Sequence, residues 1–339
     1  MNKILIIKPS GIGDIVHSLP VLYGLKVLFP ESKIHWLVFG KFEKILSNIP
    51  EIDKIIPWDR SGGVREYTRI ITAVRKERYD LVVDLQGLLR TAIISFLSGG
   101  ARRVAVSLLR ELSWLFEKPV GKFDPDMHAV DRGYAVVRHL AGGKALPEPA
   151  SFIPWIRLTS EEKASAKKLL NEPGVKIDRP LVLFGVTSRG AHKVWPSSNF
   201  IELINETVKK YDVIPVFLAM KEEAGMVKRV TGGLDCGFID LTGKTDLRQA
   251  CAVLSFCSLV VGNDSSLIHI ACALDVPVVG LYGPTNPLQV GPYGEKSAVV
   301  FKKLKCNPCG IKTSCTDYKC MKEITPEDVN NYISAKLHR

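Results

Sequence analysis

The sequence predicts an α/β protein built from two doubly wound, Rossmann-like parallel-sheet domains. Three observations lead there. Short apolar runs rich in Ile and Val alternate with longer amphipathic stretches, the pattern of repeated strand–helix units whose strands are buried on both faces. The pattern breaks once, over residues 141–158, "AGGKALPEPASFIPWIRL", which is rich in Gly, Ala and Pro and lacks a helical period. At 339 residues the chain is also long enough for two domains that each bury a core.

Taken in order, the strands of the first half are "KILIIK", "KIHWLVF", "KIIPW", "DLVVDL" and "RRVAVS"; those of the second are "PLVLFGV", "DVIPVFLA", "GFIDLTG", "LVVGND" and "VPVVGLYGP". The boundary is placed at 150, giving domains 1–150 and 151–339. Near the end, "ITPEDVNNYISAKL" has Thr325 as N-cap and Pro326 in the first helical position, so a terminal helix is expected. Open sheets of this kind bind ligands beyond the carboxyl ends of their strands, and two of them facing each other create a central cleft. Chemistry is therefore sought just after strands.

Composition narrows the classes of function. With 46% hydrophobic and 24% charged residues the chain reads as globular rather than disordered. No apolar run approaches the roughly 20 residues a membrane helix needs, and the initial "ILII" is a buried strand bounded by Lys3 and Lys8 rather than a signal sequence. A cytosolic location is expected. The net charge of +11 favours acidic partners, phosphates or an anionic membrane face. That excess is spread, with 22 Lys and Arg against 16 Asp and Glu in residues 1–150 and 24 against 19 beyond. No basic tail or arginine stripe marks a nucleic-acid binder. An enzyme handling phosphorylated compounds fits better.

Three stretches carry chemistry. In "IIKPSGIGDIVHSLP" a strand runs into a glycine turn, but Val16 stands where a dinucleotide-binding turn needs its third small residue, which speaks against NAD. Asp14 falls at the start of the next helix, either as a cap or as a carboxylate able to accept a proton from an attacking hydroxyl. In "VVGNDSSLIHIACALDVPVVGLYGPTNP" the "NDSS" segment opens a helix whose unpaired amides, with the hydroxyls of Ser265 and Ser266, suit a diphosphate. His269 lies one turn on, on the same face. In "VTSRGAHKVWP", Thr187, Ser188 and Lys193 are groups that grip phosphate oxygens, and Glu222 in the later "KEE" can accept from ribose hydroxyls. "DPD" at 124–126 has the spacing of a cation-binding Asp-x-Asp pair but follows no apolar strand, and is taken as a loop.

In chain order, "GIGDIVHSLP", "DLQGLLR", "HAVDR", "GNDSSLIHIACAL" and "LYGPTNP" resemble the bacterial lipopolysaccharide heptosyltransferases, glycosyltransferase family 9, across nearly the whole chain. "RELSWLFEK" at 110–118, followed by "HAVDR", is most similar to the branch that adds the first heptose to the Kdo region of the inner core, heptosyltransferase I. The resemblance implies a GT-B fold, acceptor in the first domain and nucleotide sugar in the second. It implies transfer from ADP-heptose with inversion and without a metal or cofactor, to Kdo-lipid A at the cytoplasmic face of the inner membrane. Matched residue by residue, Asp14 is the general base. Thr187, Ser188 and Lys193 are phosphate-loop positions, and Asp264, Ser265, Ser266 and His269 the donor helix. Ser265 and Ser266 replace a common Thr-Gly pair. Arg60, Gln86, Lys118, His128 and Arg132 are acceptor candidates. Addition of a later heptose, action on a different acceptor, and a basic nucleic-acid-binding protein with a cysteine finger are the competing functions.

Four cysteines, Cys306, Cys309, Cys315 and Cys320, fall within "CNPCGIKTSCTDYKC". The first pair has metal-ligand spacing and the second is looser, so a structural metal and four unligated thiols both stand. Cys251, Cys257 and Cys272 lie in helical or apolar surroundings and are expected as small core residues; Cys236 lies apart from both groups.

Overall fold

The structure, a computed structural model, describes residues 1–122, 124–171, 177–310 and 315–337. The chain separates into two compact units, Met1–Trp155 and Ile156–Arg339. Each unit is a parallel sheet with helices between successive strands. In the first unit β1 (Lys3–Ile7), β2 (Lys33–Phe39), β3 (Lys54–Trp58), β4 (Leu81–Asp84) and β5 (Arg102–Ala105) pair in the order β3-β2-β1-β4-β5. In the second, β6 (Leu181–Gly185), β7 (Ile214–Phe217), β8 (Ile239–Asp240), β9 (Cys257–Asn263), β10 (Val278–Tyr282) and β11 (Ser297–Phe301) pair as β11-β10-β9-β6-β7-β8. All ten expected strands form. The eleventh, "SAVVF", was not expected because it is a short edge strand in which only Val300 is buried and charged residues flank it.

Renumbered within its unit, each sheet has the doubly wound order 3-2-1-4-5, with a sixth strand in the second. Connections leave the first strand toward one edge and the fourth toward the other, so the loops after these two strands diverge and leave a crevice between them. That crevice lies after β1 and β4 in one unit and after β6 and β9 in the other. Register keeps the strand ends level: Ile7 pairs with Asp84, and Gly185 with Gly262.

The cores follow from strand periodicity. In the first unit Leu5, Ile7, Leu37, Phe39, Ile56 and Trp58 project from one face of the sheet onto Ile70, Val74, Tyr79 and Ile94. In the second, Val182, Phe184, Leu259, Val261, Val279 and Leu281 pack with Phe200, Leu203 and Ile204 and with Val329 and Ile333 of the helix Pro326–Leu337. That helix starts as the sequence indicates, Thr325 Oγ1 accepting from the Asp328 amide while Asp328 Oδ2 accepts from the Thr325 amide. The Gly- and Pro-rich stretch before Ile156 is no loose tether. Tyr134 donates to the Pro147 carbonyl, Tyr23 donates to that of Trp155 at 2.6 Å, and the Trp155 indole is buried.

Where β9 meets β6 only hydrogen fits on Gly262, because a Cβ there would lie 2.7 Å from the Gly185 carbonyl oxygen and 2.8 Å from its Cα. Gly262→Ala must spread the two central strands, and should lower unfolding free energy in urea by roughly 1–3 kcal/mol; an unchanged midpoint would show that the strands part freely.

Candidate active site

In the first unit the site begins with a half-buried lysine. Lys8 follows β1 and its Nζ donates to the Leu85 carbonyl at 2.9 Å, joining the loops that leave β1 and β4. Burial pulls its ammonium below the ordinary lysine value, and the negative charges of Asp14 and Asp84 oppose that. Ser10 adds a second link, donating to Gln86 Oε1 at 3.3 Å. The chain then turns at Gly11, whose φ is +79° and where a Cβ would sit 2.5 Å from Asp14 Oδ2. The backbone angle favours glycine there, and any Cβ would also displace the Asp14 carboxylate.

Asp14 itself is exposed, on the short helix Ile12–Val16. Gly11 occupies the N-cap and no side chain caps this helix, which removes the cap role for Asp14. Its charge acts on Lys8 and on Arg132, a half-buried guanidinium of the helix Ala129–Ala141; Arg110 acts on the same two groups with opposite sign. His128 caps that helix, Nδ1 accepting from the Val130 amide at 3.1 Å, and its ring stands edge-on to His17 at 5.2 Å. Asp14, Gln86, His128 and Arg132 are thus brought to the ends of β1 and β4. Arg60 is not part of that group. It is exposed and lines a separate concavity of about 590 Å³ beyond β2 and β3, with Phe39, Trp58 and Arg69. Lys118 is exposed on the surface.

Beneath the Gln86 loop lies a pair of buried acids. Asp84 Oδ1 accepts from the amides of Gln86 at 2.7 Å and Gly87 at 3.2 Å, which shapes the "DLQG" turn. The carboxyl of Glu117 lies against that of Asp84. Two enclosed carboxyls in contact do not both ionise, so burial first and the Asp84 charge second push Glu117 up to about 9; burial raises Asp84 as well.

In the second unit the corresponding crevice holds most of the expected donor residues. Ser188 Oγ donates to the Asp264 carbonyl at 2.6 Å, and Lys193 Nζ forms an ion pair with Asp264 Oδ2 at 2.6 Å. Both charged side chains are largely enclosed, 18% exposed for Lys193 and 8% for Asp264. Thr187 is buried beside them. Asn263, last residue of β9, ties the two loops together: its Oδ1 accepts from the Trp195 amide and its Nδ2 donates to the Val186 carbonyl. Ser265 is the N-cap of the helix Ser266–Ala273 yet makes no side-chain cap bond, and its enclosed Oγ has no partner among the described residues. His269 is buried behind this surface with Nε2 4.0 Å from Asp264 Oδ1. Glu222 is exposed in the turn after β7, the strand beside β6.

Comparison with known proteins decides the family. The model of glycosyltransferase family 9 (heptosyltransferase) matches residues 67–319. The chain belongs to glycosyltransferase family 9. It is 30% identical over 305 residues to lipopolysaccharide heptosyltransferase 1 of Salmonella typhimurium, covering 86% of this chain and 92% of the relative. To lipopolysaccharide heptosyltransferase 2 of the same organism it is 28% identical over 317 residues, covering 88% and 87%. The structure of Escherichia coli heptosyltransferase WaaC with ADP superposes with a TM-score of 0.75 at 24% identity, covering 98% of this chain and 99% of that one. The fold is therefore the GT-B fold of the heptosyltransferases.

Sequence reasoning passed over several residues that this family 9 enzyme places in or behind its crevices. Lys8 was legible only as a cation ending a buried strand, and the Asp84–Glu117 contact spans residues far apart in sequence. Asn263 hid within "GNDSS". Asp124 and Asp126 lie exposed in a turn, the Asp126 amide donating to Asp124 Oδ1. Burial raises the thiols of Cys251 and Cys257 to about 12 and of Cys272 to about 11, as suits core residues, and also raises those of Cys236 and Cys320. Cys306 and Cys315 are exposed and Cys309 half-buried. Residues 311–314 of that motif lie outside the described residues, and among the described ones no three His, Cys, Asp or Glu are grouped to hold a metal.

Two outcomes are expected. Glu117 starts to ionise near pH 4.5 when unfolded but only near 9 when folded, so the stability it contributes is full below about 4.5 and is lost progressively as pH rises toward 9. Glu117→Gln should therefore gain on the wild type across that window, by at most about 1.4 kcal/mol per pH unit, in urea titrations at stepped pH. A gap that is constant with pH would mean Glu117 is already ionised. Lys193→Ala leaves Asp264 enclosed without its cation and should cost up to about 3–5 kcal/mol, part of it recovered by adding Asp264→Asn in a double-mutant cycle.

Proposed function

We propose that the enzyme transfers heptose from ADP-heptose to the Kdo region of the lipopolysaccharide inner core, with inversion and without a metal, at the cytoplasmic face of the inner membrane. The carrying observation is the placement of Asp14, an exposed carboxylate at the crevice of the first unit, excused from capping and set among Lys8, Arg110 and Arg132. A carboxylate there can take the proton of an acceptor hydroxyl, while the guanidiniums suit an acceptor whose sugars carry carboxylates. The hydroxyl oxygen attacks the anomeric carbon as the bond to the diphosphate breaks, and the proton passes to Asp14.

The second unit supports the donor half. Negative charge grows on the departing diphosphate, and Lys193 with the helix terminus at Ser265 and Ser266 offers a cation and unpaired donors to receive it. Lys193 then serves both Asp264 and the diphosphate. Ser188 already spends its proton on the Asp264 carbonyl, so it contacts phosphate only after rotating. Thr187, Asp264 and His269 act here as the buried support of this surface, and Glu222 is kept as the ribose contact. Gln86, His128 and Arg132 are assigned to the acceptor, with Arg60 and Lys118 at its outer reach. That the reported relatives include a heptosyltransferase 2 keeps addition of a later heptose as the second reading.

The test is incubation with ADP-heptose and Kdo-lipid A, with product mass as readout; a product only from an acceptor that already carries heptose would select the second reading. Asp14→Asn should lower turnover by about 10²–10⁴ with ADP affinity unchanged. Unchanged turnover would remove Asp14 from the chemistry.

A further inference from the structure

The segment 110–118 turns the ordinary rule of burial inside out. Its polar members Ser113 and Glu117 are buried, while Leu112, Trp114 and Leu115 are 55%, 60% and 58% exposed. Phe96, from the neighbouring helix Leu89–Leu97, is also exposed, and its ring meets that of Phe116 edge-on at 5.6 Å. The other large exposed apolar residues among those described, such as Val64, Met220 and Leu288, stand alone in sequence. Scattered exposure is normal; a contiguous apolar patch marks a contact surface.

The backbone holds this presentation at a cost. Glu111 and Leu112 both take left-handed φ values, 55° and 63°, which side chains of these types rarely adopt. The turn is pinned from inside: the Arg110 amide donates to the Gly87 carbonyl at 2.8 Å and Ser113 Oγ donates to the same oxygen at 3.2 Å. Gly87 follows Gln86, so the apolar turn is bolted to the loop that bears an acceptor candidate.

Charge identifies the occupant. The Arg103 guanidinium lies 4.7 Å from the Phe96 ring centroid, and Lys118 is exposed two positions after Phe116. Glu117 adds no exposed negative charge, which leaves Glu111 as the acidic member of the turn. Exposed apolar and aromatic side chains flanked by two cations match the headgroup region of an anionic bilayer. A second copy seated two-fold on the same patch would set like-charged rims together.

We propose that the turn 111–118, with Phe96, docks this enzyme on an anionic lipid bilayer. Leu112, Trp114 and Leu115 enter the headgroup region, and Arg103 and Lys118 meet lipid phosphates. The inference rests on the proposed function in one respect: a lipid-borne acceptor is what makes docking beside the Gln86 loop useful.

Trp36, Trp58, Trp155 and Trp195 are all buried, so a change in tryptophan emission on binding reports Trp114. The wild type should blue-shift with vesicles of phosphatidylglycerol and phosphatidylethanolamine, be quenched by brominated acyl chains, and respond little to phosphatidylcholine. Trp114→Ser with Leu115→Ser should lower affinity for the anionic vesicles at least about tenfold, read by co-sedimentation. Its thermal unfolding and its transfer to a deacylated, water-soluble acceptor should match the wild type. Should the double variant unfold, Arg103→Gln serves in its place and should weaken binding to anionic vesicles. No shift with anionic vesicles, equal binding by a folded variant, or a shift that grows with protein concentration without vesicles would overturn the proposal, the last in favour of self-association. Failure of transfer by every form, with vesicle binding intact, would count against the heptosyl acceptor and leave the docking surface standing.

Discussion

The proposed site depends on parallel pairing of the first and fourth strands of each sheet. Because β1 and β4, like β6 and β9, end level and send their chains to opposite sides, each sheet opens a crevice at its strand ends. Lys8, Asp14 and Gln86 in the first unit and Thr187, Ser188, Lys193 and Asp264 in the second come from the loops that leave those strands, while His128 and Arg132 come from the helix Ala129–Ala141 that follows β5. Gly262 against Gly185 shows how tightly the arrangement is drawn.

Loops alone would not hold a reactive geometry, and both crevices are braced by buried and half-buried polar groups. In the first unit Lys8 and Asp84 fasten the turn bearing Gln86; in the second Asn263 and the Lys193–Asp264 pair fasten the loop after β6 to the strand end of β9. Leaving any one of these groups buried without its partner costs more than the bond itself contributes. The arrangement therefore favours one loop conformation over many, which is what positioning a substrate requires.

The same economy of space places opposite tasks on neighbouring residues. Segment 110–118 sends Arg110 toward the charge cluster around Asp14, seals Ser113 and Glu117 inside, and turns Trp114 outward. A segment that serves a buried pair, a charged crevice and an exposed apolar face cannot follow a single hydrophobic period, which is why its backbone enters left-handed angles at two successive positions.

Strand and helix alternation was legible in the sequence, because local periodicity and turn composition act over a few residues, and the boundary expected at 150 falls five residues before the division between Trp155 and Ile156. β11 was not legible, since an edge strand with one buried residue carries almost no periodic signal. Sequence also determined which residue types stand after the strands, and family resemblance supplied the roles proposed for them. Tertiary structure alone decided that Asp14 is not a cap, that Arg60 lies in a different concavity, that Lys193 is already paired with Asp264, and that Glu117 shares a buried site with Asp84. The reason is physical: partnership, burial and charge sharing are set by distances between residues far apart in the chain, and no local pattern encodes them.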